Sequence, residues 1–170
     1  MSDTRHRVAE RISDTPGIHF NELVRALDLA PGQVQYHLKR LRSAGVVTEQ
    51  RLYGRTHYYP PTYDEWERRA LALLARETAA DVVAVVLDEG RATPTEVAET
   101  VGIARSTLEW HLDRLVEQDL VRKERDARNR VTLELADPEG TARLLRRAEP
   151  SLPGRLVDRF TRLVDQLLEE

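Results

Sequence analysis

One offset constrains this chain more than any other property. Moving the sequence along itself by 74 residues, the distance from Glu22 to Glu96, superposes Ala30 on Ala104, His37 on His111, Leu38 on Leu112, Arg40 on Arg114, Leu41 on Leu115 and Val47 on Val121 without a gap. Apolar character keeps the same register, with Leu23 on Val97, Leu27 on Val101, Leu29 on Ile103, Val34 on Leu108, Tyr36 on Trp110 and Val46 on Leu120. A self-match of this extent is an internal repeat of one small domain. The 170 residues therefore divide into two small domains rather than forming one. Each half is near the size at which a single apolar core is marginal, so the halves are expected to pack together or to dimerise.

Periodicity gives the content of each copy. Val8 and Ile12 mark a first helix over Asp3 to Ser13, which Asp14-Thr15-Pro16-Gly17 ends. Phe20, Leu23, Val24 and Leu27 recur at helical spacing, and Glu22 sits in the first turn, where a negative side chain complements the helix dipole. A third helix follows: Pro31 suits its first position, Val34, Leu38 and Leu41 form its buried stripe, and Gly45 suits its end. The period then changes to that of strands over Val46 to Leu52 and Thr56 to Tyr59, turning at Tyr53-Gly54-Arg55. Three helices and a hairpin make a winged helix, closed by Pro60-Pro61.

Tyr63 to Arg76 has the pattern of a linker helix. Ala79 to Leu87 carries Val82, Val83, Val85 and Val86, which on propensity alone favour a strand, but the repeat puts the segment in the place of a first helix. Thr93-Pro94-Thr95-Glu96 is a capping box and starts the next helix. Arg105 to Gln118 repeats the third helix, and Val121 to Lys123 with Arg130 to Leu135 repeats the wing around the tip Arg125-Asp126-Ala127-Arg128-Asn129. Beyond Asp137-Pro138 the chain is helical again, and Leu156, Phe160, Leu163 and Leu167 have the spacing of a coiled-coil seam. The expected order is a mainly α fold with small β-wings. Winged helix-turn-helix domains occupy residues 1–61 and 79–137, a linker helix 62–78, and carboxyl-terminal dimerisation helices 138–170.

The third helix carries the chemistry. Opposite its apolar stripe stand Gln35, Tyr36, Lys39 and Arg42, types that hydrogen-bond base edges and neutralise phosphates, so the helix could lie in a DNA major groove. The same pattern also suits a solvated face. Residues 31–44 hold Lys39, Arg40 and Arg42 and no acid. The second copy departs from this, with Glu109 in place of Gln35 and Asp113 in place of Lys39. Glutamate can accept from a cytosine amino group, but two acids on a groove-facing helix weaken nonspecific affinity.

The run Val34-Gln35-Tyr36-His37-Leu38-Lys39-Arg40-Leu41-Arg42-Ser43-Ala44-Gly45-Val46-Val47 and its counterpart from Leu108 to Val121 resemble the recognition-helix signature of ArsR- and MarR-type winged-helix regulators. In arrangement the chain is similar to archaeal regulators with two winged helices in one polypeptide. The resemblance implies double-stranded DNA as partner, read by the first turns of the recognition helix with the wing tip on a minor groove or backbone. It puts Gln33, Gln35, Tyr36, Lys39 and Arg40 with wing residues Arg51, Arg55 and His57 at DNA in the first copy. In the second it puts Arg105, Ser106, Thr107, Arg125, Arg128 and Arg130 there. A homodimer through Leu156, Phe160, Leu163 and Leu167 would present two first recognition helices to a pseudopalindromic site. The competing class is a tandem winged-helix scaffold for protein contacts, favoured by the net charge of −3 and by Glu109 and Asp113.

Other classes find little support. The chain has no cysteine, which removes disulfides, thiolate metal sites and thiol redox sensing, so the metal-sensing function of many ArsR-type proteins does not carry over. His37 and His111 read as helix histidines at the edge of a core, and His6, His19 and His57 lack paired metal-ligand spacing. Tyr53, Tyr58, Tyr59, Tyr63 and Trp66 suit packing between linker and wing, with an effector pocket as the alternative, and the sequence names no effector. No phosphate-binding loop, nucleophile elbow or acid–base pair is present, so no enzymatic activity and no cofactor are expected. Neither a signal peptide nor a membrane span is read, which leads to a cytoplasmic expectation. Arginine in place of lysine, with abundant alanine, valine and acids, fits a GC-rich genome and a halophile.

Overall fold

The computed structural model describes residues 2–148, so the expected seam from Leu156 to Leu167 lies outside the described residues. The chain divides within one helix into two compact units, the first extending to Ala72 and the second beginning at Leu73. Both are helix-rich with a small antiparallel sheet, and both follow the order read from the repeat.

In the first unit α1 (Asp3–Asp14) opens at Ser2, whose hydroxyl accepts from the amide of Arg5 at 3.1 Å. After β1 (Ile18–His19), α2 (Phe20–Leu27) ends on Asp28 in the left-handed region, and α3 (Pro31–Ser43) starts with proline at its first turn. Gly45 has φ +72°, the conformation that releases the chain from α3. The wing is β2 (Thr48–Leu52) and β3 (Arg55–Tyr59), joined through Tyr53 and Gly54 at φ +48° and +79°. Two successive positive φ values match the right-handed twist of a hairpin. Val8, Ile12, Leu23, Leu27, Val34, Leu38, Leu41 and Val47 pack into one core with Ile18 and Tyr58.

The short strand β1 was not read from the sequence. It pairs Ile18 with Tyr58 and His19 with His57, which makes β3 the middle strand of three, order β1-β3-β2. This overturns the expectation that His57 projects from the wing. Its ring is turned inward and 1% exposed, and Nδ1 donates to the Gly17 carbonyl at 2.7 Å. Side chains leave a strand toward one face or the other, and His57 lies on the face that the protein covers, so it cannot reach a partner.

Packing also explains the aromatics. Helix α4 (Glu65–Leu74) lies on the wing, with the Tyr59 hydroxyl donating to the Arg68 carbonyl and Arg68 Nη1 donating to the Tyr63 carbonyl at 2.7 Å. Tyr59 and Tyr63 are both buried, their rings 6.2 Å apart, and burial pushes the Tyr59 phenol well above its usual range.

The second unit begins with α5 (Glu77–Glu89), where Val82, Val83, Val85 and Val86 are all buried within a helix. The cost of β-branched residues in a helix is a few tenths of a kcal/mol each, well below the roughly 1.5–3 kcal/mol that their burial returns. Thr93 caps α6 (Pro94–Val101), accepting from the Glu96 amide at 3.2 Å while Glu96 accepts from the Thr93 amide at 2.9 Å. Helix α7 (Arg105–Glu117) then leads into β4 (Val121–Arg125) and β5 (Val131–Leu135), and α8 (Pro138–Ala148) follows. Ala92 bridges Leu133 at the place where Ile18 bridges Tyr58 in the first unit, so the third strand is reduced to a single pair.

Candidate nucleic-acid interface

Burial of Val34, Leu38 and Leu41 fixes the rotation of α3 and leaves Gln33, Gln35, Tyr36, Lys39, Arg40 and Arg42 exposed. Arg51 and Arg55 are exposed on the wing strands. Between helix and wing runs an open groove of about 820 Å³, lined by Gln35, Leu38, Lys39, Arg42, Glu49 and Tyr58 among others. A hollow of about 310 Å³ continues it, lined by His19, Asn21, Gln35, Arg55, Thr56 and Tyr58 among others. Gln35 and Tyr58 belong to both, so Gln35 faces open space on either side.

The cations of this face are largely uncommitted. Among the described residues, Lys39, Arg51 and Arg55 have no carboxylate within ion-pair range, whereas Arg42 pairs with Glu49 at 3.0 Å. Arg40 lies 5.0 Å from the centre of the Tyr36 ring, and Tyr36 is 52% exposed with its ring edge against His37 at 5.2 Å. Burial, with the charges of Arg5 and Arg40 behind it, holds His37 below the ordinary histidine value, which keeps its ring neutral at pH 7.

The second unit repeats the scaffold with different electrostatics. Arg105, Ser106 and Thr107 are exposed in the first turn of α7, and Arg125, Arg128 and Arg130 on the wing. Lys123 Nζ donates to Glu109 at 2.9 Å, and Arg105 contacts the same carboxylate at 3.5 Å while donating to Thr95 at 2.8 Å. The Lys123 hydrogen bond is the main reason the Glu109 carboxyl sits below its usual range. Arg122 is held by Glu134 at 2.6 Å and by Glu124 at 3.2 Å. Asp126 organises the wing tip, accepting the amides of Arg128 and Arg130 at 2.8 and 2.9 Å and the Arg130 guanidinium at 2.8 Å. Arg125 turns back on Asn129 at 3.2 Å, and among these wing arginines only Arg128 keeps a guanidinium without such a contact among the described residues.

The two units share a helix-to-wing clasp whose sign and place differ. Glu49 and Lys123 occupy equivalent strand positions of the repeat, yet Glu49 grips Arg42 in the last turn of α3, whereas Lys123 grips Glu109 near the start of α7. The grip thus shifts by two helical turns along equivalent helices. It leaves the first turns of α3 open and closes those of α7.

Sequence reading did not place Asn21, Glu49, Thr56 or Tyr58 at this groove. Glu49 had a signal, because it is a lone acid on a wing otherwise carrying Arg51 and Arg55. The described residues hold no cluster of three or more His, Asp or Glu placed for a metal, and no described helix is long and apolar enough to cross a membrane.

Comparison with known proteins agrees with the fold. A family model described as an N-terminal HTH domain matches residues 2–71, and one described as a helix-turn-helix domain matches residues 74–124. An uncharacterized HTH-type transcriptional regulator of Methanocaldococcus jannaschii is 26% identical over 131 residues, covering 77% of this chain. The match takes in 33% of that relative's length. The chain is a tandem winged helix-turn-helix protein, similar in sequence to an archaeal HTH-type transcriptional regulator.

Proposed function

We propose that this chain is a sequence-specific, DNA-binding transcriptional regulator that reads double-stranded DNA through α3 and the first wing, with the second domain auxiliary. One contrast carries the reading: Gln35 and Lys39 face an open groove, while the equivalent Glu109 is closed under Lys123 and Arg105. Glutamine can hydrogen-bond adenine through both ends of its amide, and each uncommitted cation released onto phosphate steepens the salt dependence of binding by about 0.9. In this assignment Gln33, Gln35, Tyr36, Lys39 and Arg40 approach bases or phosphates, Arg51 and Arg55 approach the backbone, and Arg128 supplies the second wing's contact. The proposal includes a cytoplasmic location and a homodimer formed through Leu156, Phe160, Leu163 and Leu167, whose spacing in the sequence is that of a coiled-coil seam.

The test is selection from random duplex DNA at low and high salt, with wild type and Lys39→Ala side by side. An enriched inverted repeat that Lys39→Ala loses supports the dimeric reader. Weak, salt-sensitive binding without enrichment would move the assignment to a protein-binding scaffold, a reading that the exposed Trp110 favours. Leu163→Asp addresses the dimer separately, through mass in solution; an unchanged dimer would remove the seam.

A further inference from the structure

Trp110 is 52% exposed, matched among the described large apolar side chains only by its counterpart Tyr36. It is also held in place. The Arg114 guanidinium lies 3.7 Å from the ring centre on one face, and His111 meets the ring edge-on with centroids 4.8 Å apart. A fixed, exposed tryptophan beside arginine is the composition of energetically central protein–protein contacts. The same face carries Asp113 and Glu117, three and seven residues on and both exposed, while Arg105 and Lys123 are taken up by Glu109 and the Arg114 guanidinium is stacked on the Trp110 ring. A phosphate backbone is a poor occupant for this face.

The chain itself carries the complementary one. On α3 the positions of Trp110, Asp113 and Glu117 are Tyr36, Lys39 and Ser43, with Arg40 and Arg42 beside them and no carboxylate between residues 31 and 44. The two helices have the same length, 13 residues, or about 20 Å of matching ridge. We propose that the outer face of α7 docks on the α3 face of a second copy of this chain, so that self-association and DNA reading compete for Tyr36, Lys39 and Arg42. The competition rests on the assignment of α3 as the DNA-facing helix; the docking does not. The contact is electrostatic at its rim and weakens over the salt range in which the Debye length shortens.

Charge reversal tests it with the full chain and no DNA. Lys39→Asp and Asp113→Lys each put like charges across the contact, so each variant alone associates on the order of tenfold more weakly than wild type. An equimolar mixture restores the association, because the altered α3 of one variant meets the altered α7 of the other. Sedimentation velocity with one variant fluorescently labelled reads the mixed species, and circular dichroism of each variant checks the fold. Association through any other surface contributes equally to all samples and is subtracted. A mixture no stronger than its components overturns the proposal, as does wild-type association that Trp110→Ala leaves unchanged. Adding the selected duplex then examines the competition: release of the mixed species supports it, and a species that persists at saturating duplex overturns it. A chain that passes the mixing test but selects no duplex would sink the DNA assignment while leaving the docking face intact.

Discussion

Lys123 reaches Glu109 at 2.9 Å across the helix-to-wing gap that Arg42 and Glu49 span at 3.0 Å in the first domain. The pairs do similar mechanical work, tying strand to helix, and both are exposed enough to contribute only about 0–1 kcal/mol to stability. Their effect on charge display is larger. One leaves the start of its helix open, and the other consumes the cations that would make its helix attractive to DNA.

Glu109→Gln removes the carboxylate and releases Lys123 and Arg105 while restoring the residue type found at position 35. DNA affinity at low salt is expected to rise, and the slope of log affinity against log salt to steepen by about two, one increment for each freed cation. Fluorescence anisotropy over a salt series measures both. An unchanged slope would show that α7 stays away from phosphate whatever its charge.

Arg55 and His57 stand two residues apart on β3 and are expected to separate binding from folding. Arg55→Ala lowers the salt slope by about one with little change in stability. His57→Ala removes a buried ring and its bond to Gly17, at a cost of about 2–4 kcal/mol. Urea denaturation paired with duplex titration of the two variants would expose a reversal of these roles.

Acid sensitivity has a defined window. Burial is the first cause that lowers both His37 and His111, with Arg5 and Arg40 adding to the one and Arg114 and Arg76 to the other. The folded state therefore binds fewer protons than the unfolded state, and stability rises with pH through this range. The contribution is complete above the unfolded value of 6.5 and is lost as pH falls through the lower folded values. Urea midpoints at pH 7.5, 6.5 and 5.5 should decline for wild type and flatten for His37→Gln with His111→Gln; parallel curves would assign the loss to other groups.

Two glycines should respond in opposite directions. Gly17 has φ +92°, and a Cβ there would stand 3.4 Å from the Tyr59 ring and 3.5 Å from Leu71, so Gly17→Ala is expected to cost about 1–3 kcal/mol. Gly32 lies in α3 with nothing within 4 Å of the corresponding position, so Gly32→Ala is expected to stabilise by about 0.5–1 kcal/mol. Thermal melts of the pair would reveal an error if the signs agreed.

The fold was legible because the repeat decided between local signals that conflicted. Val82, Val83, Val85 and Val86 taken alone spell a strand, yet their place in the repeat names a helix, and α5 is helical. Strand β1 escaped because two residues carry no periodicity, and its existence depends on Tyr58 and His57 arriving from forty residues away. His57 was misplaced for the same reason: its inward turn follows from a partner strand that alternation cannot reveal. The exposed face of α3 could be read from Val34, Leu38 and Leu41, since burial of one stripe dictates what the other presents. The state of each cation could not. Whether Lys123 is available or occupied is decided by a side chain fourteen residues earlier, across a gap that only the folded hairpin closes.

The inverted clasp also bears on how a duplicated chain keeps its halves different. Exchange of wings between the copies by recombination would set Lys123 toward Arg42 in one product and Glu49 toward Glu109 in the other. Each chimera loses its ion pair, whereas a helix transferred together with its own wing keeps it. The opposite signs at Glu49 and Lys123 thus match each wing to its own helix, and the two divergent surfaces stand as paired helix-and-wing units.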